Sequence, residues 1–150
     1  LYEIGYLKPE LITDYTQIFI KLLDSKVNRM VWGAMIALST IAPLVPELIY
    51  PSLPKIRQHI NKGTVITNVS GVRTLIRIAR SGEPYYSELI DEVLQLQKDC
   101  RNTDFAKRAE EMVAILKDTE KLPFKTILEE RLPHLSKNAQ KRVERVVKKY

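Results

Sequence analysis

Apolar side chains recur along this 150-residue chain at steps of three and four, the spacing that lines one face of an α-helix. Leu11, Ile12, Tyr15, Ile18, Phe19, Leu22 and Leu23 make the first full stripe. Val31, Ala34, Met35, Leu38, Ile41 and Ala42 make the second. Further stripes follow at Tyr86, Leu89, Ile90, Val93 and Leu94, and at Ala139, Val143, Val146 and Val147. No segment alternates convincingly with period two, and strand-like character is confined to pieces as short as Val65-Ile66. The pattern predicts an all-α protein.

The stripes are spaced by a repeat. Pro9-Glu10-Leu11-Ile12 returns unchanged as Pro46-Glu47-Leu48-Ile49, 37 residues on; weaker copies begin at Pro84, another 38 on, and at Pro123, another 39 on. A proline at the first helical position lacks only an N–H that would be unbonded anyway, so each is read as a helix opener. The glutamate behind it suits the positive end of a helix. The predicted helices run from Pro9 to about Leu23, from an N-cap at Asn28 to Ala42, and from Pro46 to about Asn61 with Gly63 as a stop. They continue from Asn68 to Arg80, from Pro84 to about Cys100, from a cap at Thr103 to Lys117, from Pro123 to about Leu132, and from a cap at Ser136. Pro51 and Pro54 disturb the second copy. Either that helix is kinked, or Pro46 to Tyr50 is a separate turn and the true helix starts near Pro51.

Three series carry the repeat: the prolines 9, 46, 84 and 123; the small residues Ala34, Gly71 and Ala109; and Leu1, Leu38, Leu75 with Val113. Paired helices at this period resemble the HEAT-repeat class of the armadillo-like superfamily over about residues 1–134, departing from it at Pro51, Pro54 and an uneven last unit. A tetratricopeptide period of about 34 is shorter than the spacing here. The resemblance implies a right-handed α-solenoid of stacked antiparallel helix pairs, one domain over 1–150. Its parts would be a partial repeat at 1–24, repeats at 27–62, 64–101 and 103–134, and a C-terminal capping helix at 136–150. A lone helix pair cannot bury its apolar faces; stacking does. Leu1, Ile4 and Leu7 then mark an N-terminal edge that is exposed, covered by residues outside this sequence, or used for self-association. Leu1 is not methionine, and the chain is expected to be a processed or partial version of a longer one.

Charge changes this picture little. The formal charge is +6, but residues 136–150 hold Lys137, Lys141, Arg142, Arg145, Lys148 and Lys149 against Glu144 alone, so the rest is nearly neutral. A basic tail is not a basic protein. The longest apolar run, Ala34 to Val45, is interrupted and too short to span a membrane, and no signal-peptide pattern opens the chain. A single cysteine cannot form an internal disulfide, and a cytoplasmic setting is expected.

The residues that could carry catalysis each have a plainer reading. His59 and His134 lack helically spaced ligand partners, so neither implies a metal site. Cys100 has no nearby histidine and sits beside Asp99, which disfavours a thiolate. Asn61-Lys62-Gly63-Thr64 lacks phosphate-loop spacing. Glu88, Asp91 and Glu92 read as a solvated acidic face. Trp32 beside Gly33-Ala34 could stack on a base or a peptide, though inter-repeat packing is favoured. Arg73, Arg77 and Arg80, at i, i+4 and i+7, share a helix face. With Lys137, Lys141, Arg142 and Arg145 of the last helix they could track a phosphate backbone. Arg73, Arg77, Arg80, Lys137, Lys141, Arg142, Arg145 and Trp32 form the candidate binding surface. No cofactor, metal, membrane or small-molecule substrate is expected. The expected function is a non-catalytic protein–protein interaction or scaffold module. The alternative is a DNA-binding protein or alkylated-base glycosylase, which one branch of HEAT-like proteins resembles.

Overall fold

A computed structural model describes residues 2–150; Leu1, with its place in the leucine series, lies outside the described residues. The chain separates into two compact units, one ending at Tyr86 and the other covering Ser87–Tyr150. All regular structure among the described residues is helical.

In the first unit α1 (Tyr2–Leu7) precedes a 3-10 segment over Pro9–Tyr15, followed by α2 (Thr16–Leu22) and α3 (Asn28–Ile41). Pro9 does open helical structure, but not the four-turn α-helix expected. The Thr13 hydroxyl donates to the Glu10 carbonyl at 3.0 Å and the Thr16 hydroxyl to the Thr13 carbonyl at 2.5 Å. Such local side-chain bonds compete with i→i+4 backbone bonding and favour the tighter turn. In the second copy α4 is only Pro46–Ile49. A 3-10 turn at Tyr50–Ser52 intervenes, and α5 starts at Leu53 (Leu53–Lys62). The split reading is the one observed. Pro51 cannot donate to Glu47, and Pro54 falls in the first turn of α5, where its missing donor is harmless.

α6 (Val65–Arg80) starts three residues before Asn68, so Val65-Ile66 is helical. The Thr64 side chain caps it, accepting from the Thr67 N–H. α3 starts at Asn28 itself, with Val27 in the cap position and no side-chain cap. α3 packs against α1, α2 and α6, and α5 against α6. Gly5 and Gly71 mark the tight seams. A Cβ at Gly5 would run into the Thr40 hydroxyl, and one at Gly71 would stand 2.6 Å from Ile60 Cγ1. Ile12, Phe19, Met35, Leu38, Ile41, Ile49, Ile56, Leu75 and Ile78 fill the core between these helices. Each such side chain contributes about 1.5–3 kcal/mol by leaving water.

α7 (Tyr85–Asp99) begins at the boundary and runs into the second unit, followed by α8 (Asn102–Met112), α9 (Asp118–Arg131), a 3-10 turn at Leu132–His134, and α10 (Lys137–Val147). Two expected starts are corrected. Thr103 is not a cap: α8 begins at Asn102, and Arg101 pairs with Asp104 at 2.7 Å across its first turn. Pro123 does not open a helix: it lies inside α9, whose start carries Asp118 and Glu120. Early acidic residues suit the positive helix end, and a proline in the second turn forfeits one bond without ending the helix. Ser136 caps α10 as expected, accepting from the Ala139 N–H at 3.4 Å. α10 packs on α8 and α9, and the core here is Leu89, Val93, Phe105, Ala109, Met112, Phe124, Leu128, Val143 and Val146.

Candidate interaction surfaces

The arginine face does not survive as one exposed strip. Arg73 is buried at 8% exposure, Arg77 is half-buried, and only Arg80 is exposed. Arg77 Nη1 donates to the Ser39 carbonyl at 2.6 Å. That carbonyl sits four residues before Pro43, so the helix cannot supply its usual N–H donor. The guanidinium replaces it and places positive charge at the negative end of α3. A cavity of about 360 Å³ beside it is lined by Pro43, Arg77, Arg80 and Ser81.

The same device recurs. His59 Nε2 lies 2.9 Å from the Leu23 carbonyl at the end of α2, so Nε2 carries the proton and donates. In the second unit Arg108 Nη1 donates to Leu96 at 2.8 Å, and Arg131 reaches the carbonyls of Lys98 and Cys100 together with Asn102 Oδ1. The Arg131 guanidinium also stands 5.3 Å from the Phe105 ring centre. The C-terminal carbonyls of α7 are thus satisfied from α8 and α9. Sequence inspection missed Arg108 and Arg131; Arg131 reads only as a cation on its own last turn.

Cys100 is buried against this cluster. Burial raises its thiol above the ordinary value, and the opposing fields of Arg108 and Arg131 do not reverse that. The nearby acid acting on it is Asp104 rather than Asp99. A protonated, enclosed thiol is not a nucleophile. Glu88 and Asp91 are exposed, and no cluster of metal-binding side chains occurs among the described residues.

Of the last-helix cations, Lys137, Lys141 and Arg145 are exposed, whereas Arg142 is half-buried and committed. Its Nε and Nη2 grip Glu110 of α8 at 2.8 and 2.6 Å. This fork holds the Glu110 carboxyl below the usual range. Trp32 is half-buried on α3.

Exposed apolar side chains absent from the candidate residues occur along residues 2–30, interspersed with exposed charges such as Glu3, Lys8, Glu10, Asp14 and Lys21. Leu7 is 83% exposed and Leu11 61%, and Tyr2, Ile4, Tyr6, Tyr15, Ile18, Val27 and Met30 are also exposed. Tyr2, Phe19, Leu22, Arg29, Met30, Gly33 and Ala34 line a cavity of about 210 Å³ there. Ile4 and Leu7 of the expected N-terminal edge are exposed within this chain, and Leu1 lies outside the described residues. No helix is long and apolar enough to cross a membrane among the described residues. No family model, curated protein or solved structure matches this chain.

Proposed function

We propose that this chain is a HEAT-type helical-repeat module, a right-handed stack of helix pairs, that binds another protein without catalysing a reaction. Two relations within the first unit support the repeat. α3 packs on α1 as α6 packs on α3, and the bonds from His59 to Leu23 and from Arg77 to Ser39 join residues 36 and 38 apart. Those separations lie close to the 37 to 39 residues between the prolines. The same proposal takes a reducing, cytoplasmic setting, with which a single cysteine that forms no internal disulfide is compatible.

The observation that carries the binding role is the number of large apolar side chains exposed along residues 2–30, with the cavity that Tyr2 and Met30 share. Three of these side chains are tyrosines, a residue type enriched at interface centres. The occupant they fit is the apolar face of a partner's helix. Arg29 at the cavity rim adds a cation for an acidic residue on that partner. The test is quantitative capture of partners from the producing cells, comparing the natural chain with a Leu11→Asp/Ile18→Asp variant and an α10 variant. Both substituted side chains are exposed, so the fold is retained. The same protein should be lost with the first variant and kept with the second. Retention by the first variant overturns the proposal.

A further inference from the structure

The outer face of α10 does a second job. Taken at 100° per residue along α10, Lys137, Lys141, Arg145 and Arg142 fall within one broad arc, and Lys148 and Lys149 follow in the turn that ends the helix. Ala139, Val143, Val146 and Val147 fall opposite, where Val143 and Val146 are buried. Arg142 is taken by Glu110. Lys137, Lys141, Arg145, Lys148 and Lys149 are all exposed, and none has an ion-pair partner among the described residues. Glu144 is the single acid on the helix and stands at the edge of the arc. Lys107, exposed on α8, acts with Arg145 on the field at Glu110 and so extends the basic area off the helix.

Such a surface concentrates positive charge on a rigid rod. Lys137, Lys141 and Arg145 follow one another at four-residue steps, about 6 Å of helix rise each. The rod is held by the Ser136 cap, the buried valines and the Arg142 fork, so its cations are presented without a folding step. Its apolar side is occupied by the protein core, which excludes insertion into a lipid surface. No exposed aromatic sits on the basic arc; the Tyr150 ring is packed edge-on against Phe124 at 6.1 Å. Base stacking, the means by which single strands are held, is therefore missing.

We propose that the exposed face of α10 binds the phosphodiester backbone of a nucleic-acid duplex, without reading sequence. The proposal is independent of the protein-docking surface on residues 2–30. The test is a salt titration of the full chain against a fluorescent 20-base-pair duplex, with duplex RNA, single-stranded DNA and poly-glutamate as separate arms. If all five exposed cations engage B-DNA, the logarithm of the binding constant falls with that of salt at a slope of about −4.5. A Lys141→Gln/Arg145→Gln variant removes two contacts. It should bind duplex about 60-fold more weakly at 0.1 M salt, with a slope shallower by about 1.8. Its thermal unfolding should match the natural chain. Binding of RNA but not DNA duplex keeps the proposal and narrows the ligand to A-form. No duplex binding at 50 mM salt overturns it, as does a slope shallower than about −3, an unaffected variant, or equal or tighter binding of single strand or poly-glutamate.

Discussion

Replacing Arg77 by methionine should strand the carbonyl that Pro43 leaves without a backbone donor. α3 continues in helical geometry through Ala42, whose φ and ψ are −50° and −38°. The backbone nitrogen of residue 43 is therefore aimed at the Ser39 carbonyl, but proline has no hydrogen to give. Arg77 supplies the bond at 2.6 Å from a partly buried position. A hydrogen bond from a charged donor is worth about 1.5–3 kcal/mol, and an orphaned buried acceptor costs about 1–3 kcal/mol. Arg77→Met should thus lower stability by about 2–3 kcal/mol. Pro43→Ala restores the N–H while loosening the unfolded chain, and should be within about 1 kcal/mol of neutral. In the Pro43→Ala background the cost of Arg77→Met should shrink by about 1 kcal/mol, since the restored N–H now serves the same carbonyl. The assay is urea unfolding of the four proteins followed by circular dichroism, read as a double-mutant cycle. Coupling below about 0.5 kcal/mol, the usual limit of additivity, would refute the reasoning.

Three other outcomes follow from the packing. The Arg142–Glu110 fork is more than a third exposed on both sides, so Glu110→Gln should cost under about 1 kcal/mol at pH 7. Because the folded carboxyl is depressed, that contribution is full above about pH 4.3 and is lost as pH falls through the folded value; the difference in urea midpoint should close in acid. Gly71→Ala gains up to about 1 kcal/mol of helix propensity, yet its methyl would press on Ile60, costing about 1–3 kcal/mol. Net destabilisation in thermal melts, relieved by adding Ile60→Ala, is expected; a rise in Tm would contradict the close α5–α6 seam. Cys100, buried with its thiol raised, should react with an alkylating reagent at pH 8 far more slowly than a small free thiol, and at the free rate once unfolded.

What the sequence disclosed and what it concealed divide along physical lines. The apolar stripes placed the cores of α3, α7 and α10, because burial of one face demands that periodicity: Met35, Leu89 and Val143 are all enclosed. Ser136 was readable as a cap because its partner, Ala139, is three residues away. Prolines were weaker markers. The same residue fits a 3-10 turn at Pro9, a four-residue helix at Pro46 and the interior of α9 at Pro123, and local sequence does not separate these cases. The arginine series failed for another reason. Spacing says that Arg73, Arg77 and Arg80 share a face, not whether that face meets water. Arg131 was invisible because the carbonyls it serves lie 31 and 33 residues away.

The measurement that bears most directly on the interaction-module account is hydrogen exchange of the full chain, alone and saturated with the purified protein that it captures. Added protection should concentrate in the amides of residues 2–22 and the start of α3, around Tyr2, Leu11, Ile18 and Met30, with α10 unchanged. Protection confined to other helices, or none at all, would contradict the account.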